Sequence, residues 1–286
     1  MEPFSVLMSV YARESAGYLR QSLESVMGQD PAPDQVVLVQ DGPIGGELRG
    51  EIESWQRRLG ATLTLVSLAE NKGLGVALDA GLRACVHDTV ARMDADDICC
   101  PSRFRRQLSF LEDNTGVAVL GGQIEEFDPE RPASRSVRSV PLSHEEISRV
   151  ARQRNPFNHM TVMLRRRSAV AAGGYRHFPG FEDYFLWARM IARGDQMANL
   201  PHVLVRARTG GNFFERRGGW RYVRHEVALQ LAFHRSGFIS VPVLARNVMV
   251  RAAVRLLPGG VRAKLYRELL RADLGEESSE VVSECG

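Results

Sequence analysis

Short apolar runs alternate with stretches of helical periodicity along the first third of the chain. Runs of this kind are typical of buried strands, whereas apolar residues spaced three and four apart indicate amphipathic helices. The pattern predicts strands at 4–10, 36–39, 62–66 and 89–93, and helices at 15–28, 47–59 and 76–86. Because strands and helices alternate, we expect βαβ units and an α/β fold whose mainly parallel sheet has helices on both faces.

The pattern changes after Pro101, where the elements become less regular. We expect helices at 101–113 and 182–193 and a further helix opened by Ser143, with strands at 117–120, 122–127, 159–164 and 203–207. The polar stretch 128–140 indicates a surface loop or an edge strand. Beyond Gly219 the chain reads as basic helices interrupted at Pro242 and at 258–260. We therefore predict an α/β domain over 1–215, a helical extension over 216–274 and a disordered tail over 275–286.

The composition fits an ordinary globular protein, with 44% hydrophobic and 25% charged residues among 286. No stretch approaches the ~18 uninterrupted apolar residues of a spanning helix, and the start lacks the layout of a secretory signal. We expect a cytoplasmic protein. The charge is uneven, because residues 203–272 carry 14 Lys and Arg against 3 Asp and Glu. Such a segment indicates contact with an anionic partner: a phosphate-bearing substrate, a membrane surface or nucleic acid.

A cluster of acids, Asp94-Ala95-Asp96-Asp97, follows the buried strand at 89–93. Ligands of open α/β sheets bind at the carboxyl ends of strands. Residues two apart in an extended chain point to the same side, so Asp94 and Asp96 are placed to converge on one ion. Carboxylates in this arrangement suit a hard cation such as Mg²⁺ or Mn²⁺. The alternative is a structural cluster in which Asp97 caps the helix beginning at Pro101.

Several motifs, taken together and in order, resemble the inverting nucleotide-sugar glycosyltransferases of family 2, which have a GT-A fold. The likeness covers about residues 4–210 and extends best to exopolysaccharide and capsule members of the amylovoran type. The motifs are Ser9-Val10-Tyr11, Gln40-Asp41-Gly42, Asn71-Lys72-Gly73-Leu74-Gly75, Asp94-Ala95-Asp96-Asp97, Asn155-Pro156-Phe157-Asn158-His159, Gly173-Gly174-Tyr175 and Glu182-Asp183-Tyr184.

The resemblance implies a nucleotide site along the ends of the first strands. It implies that Asp41 hydrogen-bonds the base, although Gln40 and Pro43 depart from the family pattern beside it. It also implies that the diphosphate metal, Mn²⁺ or Mg²⁺, is held by Asp94 and Asp96. The remaining nucleotide-binding residues that it implies are Ser9, Tyr11, Asn71, Lys72, Gly73, Asp94 and Ala95. On its own, Asn71-Lys72-Gly73 also reads as a plain turn between a strand and a helix.

The candidate catalytic base is Asp183, with Glu182 as the second choice. An inverting transfer needs a carboxylate that takes the proton of the acceptor hydroxyl. Without the family pattern, the two acids would read as a favourable start of a helix. His159 and Trp220 are candidate acceptor-binding residues, and for each the alternative is an ordinary packed side chain.

The predicted function is the transfer of a single sugar from a nucleotide-diphosphate donor, most simply a UDP-sugar, to a lipid-linked oligosaccharide. The Gln-x-x-Arg-Trp motif of processive enzymes is absent, which favours one addition per acceptor. The basic extension either lies on an anionic membrane or packs on the catalytic domain. In the first case the protein would be a peripheral membrane protein. The alternative function is that of a catalytically silent subunit of a polysaccharide-assembly complex, which binds a nucleotide or serves as a scaffold. We expect no nucleic-acid partner, because no recognised motif supports one.

Overall fold

The strands and helices alternate in the first part of the chain as the apolar pattern predicts. The structure is a computed structural model that describes residues 2–209 and 220–256, without the side chains of 131–134, 220–221 and 252–256. The strands are β1 (Phe4–Val10), β2 (Gln35–Asp41), β3 (Leu63–Leu68), β4 (Thr89–Arg92), β5 (Ile98–Cys99), β6 (Val117–Asp128), β7 (Arg131–Arg138), β8 (Met163–Arg165) and β9 (Gln196–Arg208).

The helices have caps that follow the sequence at two of their starts. Ser15 accepts a hydrogen bond from the Tyr18 backbone N–H, and Ser143 forms a reciprocal capping box with Glu146. The helices are α1 (Ala16–Met27), α2 (Gly46–Leu59), α3 (Leu74–Ala84), α4 (Arg103–Asp113), α5 (His144–Ala151), α6 (Arg166–Ala171), α7 (Glu182–Ala192), α8 (Trp220–Arg235) and α9 (Val241–Leu256).

The nine strands form one mixed, mostly parallel sheet in the order β3-β2-β1-β4-β8-β6-β9-β5, with β7 paired to β6. Strands β3, β2, β1 and β4 are parallel neighbours, and β8 is antiparallel to both β4 and β6. The carboxyl ends of β1, β2 and β4 therefore lie along one edge of the sheet. This confirms the predicted α/β class and gathers the predicted motifs on that edge.

The core has a layer on each face of the sheet, as βαβ units require. Successive residues of β1 point to opposite layers, so Val6 and Met8 join one cluster and Leu7 joins the other. The first layer contains apolar residues of α1, α2 and α4, including Trp55 and Phe104. The second contains those of α3, α5, α6 and α7. The predicted helices on both faces are confirmed.

Three predicted boundaries were wrong. The strands predicted at 117–120 and 122–127 form one strand, β6, which includes Gly121 and Gly122. Neighbouring side chains approach both glycines so closely that a larger residue would not fit. A Cβ at Gly122 would lie 2.5 Å from Leu204 Cδ1. Residues 159–161 form a 3-10 turn before the short strand β8, and the last strand, β9, begins at Gln196 rather than at residue 203. The polar stretch 128–140 contains the edge strand β7.

The helical extension packs on the rest of the chain. Leu229, Phe233, Phe238 and Ile239 form a cluster with Ala151 of α5 and with Phe181, Tyr184 and Ala188 at α7. Pro242 lies in the first turn of α9, where its missing N–H is not needed. The helical run is interrupted between residues 235 and 241, before the proline rather than at it. In the described part of the chain, no helix is both long and apolar enough to span a membrane. The predicted boundary at 215–216 and the predicted tail at 275–286 lie outside the described residues.

Candidate active site

The acid cluster stands at the carboxyl end of β4, in the middle of the sheet edge. Met93 continues alongside β1 by donating its backbone N–H to the Leu7 carbonyl at 3.1 Å. Ser22 Oγ donates to the Asp94 carbonyl at 2.8 Å and thereby ties the turn to α1. One carboxylate oxygen from each of Asp94, Asp96 and Asp97 lies within 4.8 Å of the others. The predicted convergence of Asp94 and Asp96 is therefore present in the structure, and Asp97 joins them.

Burial and mutual repulsion set the protonation of the cluster. Burial, and then the charge of Asp94, raises the pKa of Asp96 to about 6. Burial and the two neighbouring acids raise the pKa of Asp97 well above its ordinary value. Asp97 Oδ1 accepts the Arg208 backbone N–H at 2.7 Å. The alternative in which Asp97 caps the following helix was wrong, because α4 begins at Arg103 with Ser102 at its N-cap.

The donor set suits a divalent cation. Asp97 Oδ2 is buried and has no hydrogen-bond partner within the described residues. A buried carboxylate oxygen without a partner is costly and requires a proton or a cation. Three carboxylates with converging oxygens are the ligands that Mg²⁺ and Mn²⁺ prefer. Asp94 and Asp96 thus fit the metal-holding role that the sequence predicts.

Arg92 is the buried cation beside this cluster. It lies at the end of β4, is 3% exposed and forms an ion pair with Asp94. Its Nε and Nη1 have no partner within the described residues. Its positive charge also reaches the acids of α7, where it lowers the pKa values of Glu182 and Asp183 against the stronger effect of burial. The charge of Arg92 therefore acts on two groups of carboxylates.

Asp41 organises the loop that joins β3 to α3. Its Oδ1 accepts the Lys72 backbone N–H at 2.7 Å and its Oδ2 accepts that of Gly73 at 2.9 Å. Asn71 Nδ2 donates to the Asp41 carbonyl at 3.2 Å, while the Lys72 side chain is exposed beside Glu70. Each oxygen of Asp41 keeps lone-pair capacity for a second donor, so a base contact stays a prediction.

Glycines allow this loop its backbone shape. Gly42 has φ +83°, and a Cβ there would lie 2.5 Å from the Asn71 backbone nitrogen. Gly73 has φ +85°, a region that L side chains seldom adopt, and a Cβ there would meet His177 only at ordinary contact distance. The need for glycine at position 73 is therefore one of backbone conformation rather than of space.

The other predicted nucleotide-binding residues lie nearby on the same edge. Ser9 is half-buried near the end of β1, and Tyr11 follows that strand with its carbonyl accepting the Glu14 backbone N–H at 3.0 Å. The Ala95 methyl group is buried in the core cluster that contains Met93 and Ala91. Any contact of Ala95 with a nucleotide must therefore use its backbone.

Glu182 and Asp183 begin α7. Asp183 Oδ2 accepts a hydrogen bond from Asn155 Nδ2 at 2.6 Å, and its Oδ1 accepts the Tyr184 backbone N–H at 2.7 Å. Burial raises the pKa of Asp183, and burial followed by the charge of Asp183 raises that of Glu182 to about 7. A half-buried carboxylate oriented by two donors, with a raised pKa, has the properties of a general base.

The starts of α3 and α7 lie against each other. A Cβ at Gly75 would lie 2.4 Å from the Arg176 carbonyl oxygen and 3.1 Å from Glu182 Cβ. The structure thus brings the 71–75 segment, the acid cluster and the two acids of α7 to one end of the sheet. Together they leave a polar edge that is strongly acidic.

His159 belongs to an aromatic group next to this edge. Its Nε2 lies 3.0 Å from the Tyr175 hydroxyl, and its ring packs edge-on against Trp187 at 6.0 Å. Burial, and then the charge of Arg92, lowers the pKa of His159 well below its ordinary value. These contacts are those of a packed, neutral histidine, and its acceptor role stays a prediction. The Trp220 side chain lies outside the described residues.

Three polar residues of the site were not among the predicted ones: Arg92, Asn155 and Arg208. Arg208 Nε donates to the Asp96 carbonyl at 2.9 Å, in addition to its backbone contact with Asp97. Arg92 carried one signal, since a charged residue inside an otherwise apolar strand is rarely structural. Arg208 carried none, because its contact spans more than a hundred residues of sequence.

Comparisons with known sequences place the chain in a family of glycosyltransferases. The model of the family described as "Glycosyl transferase family 2" matches residues 5–174. The chain is 41% identical to the amylovoran biosynthesis glycosyltransferase AmsE of Erwinia amylovora, over 93% of this chain and 98% of that protein. It is 36% identical to a UDP-Gal:alpha-D-GlcNAc-diphosphoundecaprenol beta-1,3-galactosyltransferase of Escherichia coli, over 94% of this chain and 96% of that one.

Solved structures show the same architecture. TarS 1-349 of S. aureus in complex with UDP-GlcNAc superposes with a TM-score of 0.62 at 17% identity, over 80% of this chain and 66% of that one. The mannosyltransferase PcManGT of Pyrobaculum calidifontis, in complex with GDP-Man and Mn2+, gives 0.57 at 17% identity, over 99% of this chain and 84% of that one. At these identities the structures show the fold, and the family rests on the sequence matches. The chain is a glycosyltransferase that belongs to family 2 and has the GT-A fold.

Proposed function

We propose that this enzyme transfers one sugar, with inversion, from a UDP-sugar to a lipid-linked acceptor in the synthesis of a cell-surface polysaccharide. The observation that carries the proposal is the position of Arg92. It pairs with Asp94 of the acid cluster, and its charge acts on Glu182 and Asp183 at the start of α7. The charge of one buried side chain therefore acts on both the cation-binding group and the candidate base.

The donor and acceptor classes are supported by relatives. The E. coli relative carries both classes in its name, UDP-Gal as donor and a sugar diphosphoundecaprenol as acceptor. TarS was solved with UDP-GlcNAc, whereas PcManGT holds GDP-Man and Mn2+. Since the 36% identical relative covers nearly the whole chain, we take UDP as the donor nucleotide and a polyprenyl-diphosphate sugar as the acceptor.

The residues divide the reaction between them. Asp183 accepts the proton of the acceptor hydroxyl as that oxygen bonds to the anomeric carbon, and the bond from this carbon to the diphosphate oxygen breaks. Attack from the face opposite the leaving group inverts the anomeric centre. Asn155 and the Tyr184 backbone N–H hold the carboxylate in place. With a pKa of about 7, Glu182 carries its proton for much of the time at neutral pH, so its repulsion of Asp183 is limited.

The leaving diphosphate needs compensation of its charge. Asp94 and Asp96, with Asp97 beside them, would hold Mn²⁺ or Mg²⁺, and the ion would supply positive charge for the departing diphosphate. Arg92 secures the orientation of Asp94 through their ion pair. Asp41 secures the loop of Asn71, Lys72 and Gly73 along which the nucleotide would lie.

A nucleotide panel tests the donor and metal parts. The thermal midpoint is measured with UDP, GDP, CDP and TDP, each with and without Mn²⁺, in the wild type, in Asp96→Asn and in Asp113→Asn. Asp113 is an exposed carboxylate at the end of α4 and serves as the matched control. A ligand that binds only the folded state raises the midpoint. We expect a rise with UDP that needs Mn²⁺, persists in Asp113→Asn and is lost in Asp96→Asn.

Transfer to a short-chain polyprenyl-diphosphate N-acetylglucosamine tests the chemistry. We expect one added sugar per acceptor, whose anomeric configuration by NMR is opposite to that of the donor. Retained configuration would exclude the in-line displacement, and several added sugars would exclude single addition. Nucleotide binding without any transfer or donor hydrolysis would favour the alternative, a catalytically silent subunit. Absence of a thermal shift with every nucleotide would contradict the donor assignment.

A further inference from the structure

The two helices of the extension form a hairpin, α8–α9, with one packed face and one outward face. On the packed face, Leu229 and Phe233 join the cluster at α7, and Asn247 Nδ2 donates to the Arg152 carbonyl at 2.8 Å. The packed face also holds an ion pair between Glu226 and Arg251. These contacts account for the buried side of both helices.

The outward face is formed by exposed residues that recur every three or four positions, so each helix presents one stripe. We define it by its residues, which are Arg224, Ala228, Leu231 and Arg235 on α8, and Val241, Pro242, Ala245, Arg246, Met249 and Val250 on α9. Three large apolar side chains are more than half exposed: Val241 is 60% exposed, Met249 66% and Val250 55%. A globular protein normally turns such a stripe inward.

The charges of this face have one sign. Between residues 220 and 256 the sequence contains a single acid, Glu226, and that side chain is buried and paired. The outward face therefore combines arginines with apolar side chains and has no carboxylate.

We propose that the outward face of the α8–α9 hairpin docks on an anionic lipid surface. Arginines attract the headgroups, and Val241, Met249 and Val250 enter the boundary between the headgroups and the acyl chains. A second copy of the chain fits less well, because a twofold contact through this face would set arginines against arginines with no described carboxylate to pair them. Nucleic acid would explain the cations but not the exposed apolar stripe.

The position of the hairpin links this surface to the candidate active site. Tyr222 of α8 packs against Phe181 with ring centroids 5.1 Å apart, and Phe181 directly precedes Glu182 and Asp183. Docking through the opposite side of the hairpin would fix the height of the site above the lipid. The inference goes beyond the proposed reaction, and vesicle binding tests it whether or not the reaction is as proposed.

The test is flotation of the full chain with two kinds of vesicle, phosphatidylcholine alone and phosphatidylcholine mixed with phosphatidylglycerol. The charge variant is Arg235→Gln with Arg246→Gln, and the apolar variant is Met249→Gln with Val250→Thr. The matched control, Arg57→Gln with Val86→Thr, removes an exposed arginine and an exposed valine elsewhere on the molecule. Transfer to a short-chain, water-soluble acceptor is measured in parallel for every variant.

We expect the wild type and the control to bind the phosphatidylglycerol vesicles and to be released by salt. Each arginine removed should weaken binding about fivefold, so the charge variant loses roughly 25-fold. The apolar variant should lose about tenfold or more at the same salt concentration. Transfer to the soluble acceptor should stay within about twofold of wild type throughout, which separates this inference from the proposed reaction.

Three results would overturn the docking proposal. The first is wild-type protein that does not float with phosphatidylglycerol vesicles. The second is flotation that the charge and apolar variants retain in full. The third is a dimer in sedimentation that Met249→Gln with Val250→Thr converts to a monomer, which would assign the face to a second copy of the chain.

Discussion

Replacing Asp183 with asparagine changes one carboxylate oxygen into an NH₂ group at a position where both oxygens already accept hydrogen bonds. The donors are the Asn155 side-chain amide at 2.6 Å and the Tyr184 backbone N–H at 2.7 Å. In either orientation the new amide group faces one of these donors. Asp183→Asn therefore removes a hydrogen bond as well as a proton acceptor.

The cost in stability can be worked from these contacts. Loss of one hydrogen bond to a charged acceptor costs about 1.5–3 kcal/mol. The neutral amide avoids the penalty of burying a charge, the penalty that raises the pKa of Asp183, and so recovers part of that cost. We expect a net loss of about 1–2 kcal/mol at a pH near 8. Domains of this kind are stable by about 5–15 kcal/mol, so the variant remains folded.

The cost in rate is larger. A positioned general base contributes about 10²–10⁴-fold, and an amide cannot take the proton. We expect kcat for transfer to fall by that factor in Asp183→Asn, while the thermal shift caused by UDP with Mn²⁺ is unchanged. The assay is initial-rate transfer to the short-chain acceptor under saturating donor. A loss of about 1–2 kcal/mol in the free energy of unfolding cannot produce such a fall in kcat, because nearly all of the protein stays folded.

Asn155→Ala is the matched control, since it removes a hydrogen bond from Asp183 but keeps the carboxylate. It should cost a similar amount of stability and less than about tenfold in kcat. The bond from Asn155 lowers the pKa of Asp183, so its loss should move the acidic limb of the kcat/KM profile to higher pH. Asp183 is not the base if Asp183→Asn keeps more than about a tenth of wild-type kcat, or if Asn155→Ala loses as much kcat as Asp183→Asn does.

Three further predictions concern stability. Burial keeps Glu182 protonated in the folded state up to about pH 7, whereas the unfolded chain releases this proton above about pH 4.5, so stability falls as the pH rises toward 7. In urea denaturation, Glu182→Gln should therefore become more stable relative to wild type over that range. An equal difference in unfolding free energy between the two proteins at pH 5 and pH 8 would contradict this. Gly42→Ala places a Cβ 2.5 Å from the Asn71 nitrogen at φ +83°. It should cost more than about 1 kcal/mol of stability and reduce the rise in thermal midpoint caused by UDP. An unchanged rise would separate this turn from the nucleotide site. Phe233→Ala empties the cluster under α7 and should cost about 3–5 kcal/mol by denaturant midpoint, whereas a cost below about 1 kcal/mol would show that the hairpin contributes little to the core.

The first four strands and three helices were predictable because their signals are local. Apolar runs in β1 and β2 reflect burial on both faces, and Ser15 with Gly28 marks the two ends of α1. The Ser143 start of α5 was confirmed for the same reason, as a reciprocal pair three residues apart. Such features follow from spacing within one segment and need no knowledge of the partner segments.

The errors arose where distant segments decide the conformation. Gly121 separated two predicted strands, yet it lies inside β6, at a point where Asn199 and Phe157 leave no room for a side chain. Asp97 read as a helix cap, yet it binds the backbone of Arg208. A local pattern cannot reveal either contact, since the partners lie tens of residues or more than a hundred residues away.

The site followed the same division. The sequence placed Asp94 and Asp96 correctly at a strand end, since alternation along an extended chain is local. It did not show that both oxygens of Asp41 accept backbone N–H groups, nor that Asn155 reaches Asp183. These contacts join motifs that lie about thirty residues apart in the chain. They make the motif residues interdependent, so a change in one loop should disturb the next.

The balance of charge at the sheet edge explains why these parts belong together. Arg92 pairs with Asp94 of the acid cluster, and its charge also acts on Glu182 and Asp183 at the start of α7. One buried cation cannot compensate five acids, and repulsion from a neighbouring acid adds to the larger effect of burial in raising the pKa values of Asp96 and Glu182. An anionic diphosphate would meet repulsion here unless a cation entered with it. Cation and donor must therefore strengthen each other's binding by equal factors, as linkage requires. A UDP affinity independent of Mn²⁺ would mean that Arg92 and Arg208 alone carry the diphosphate.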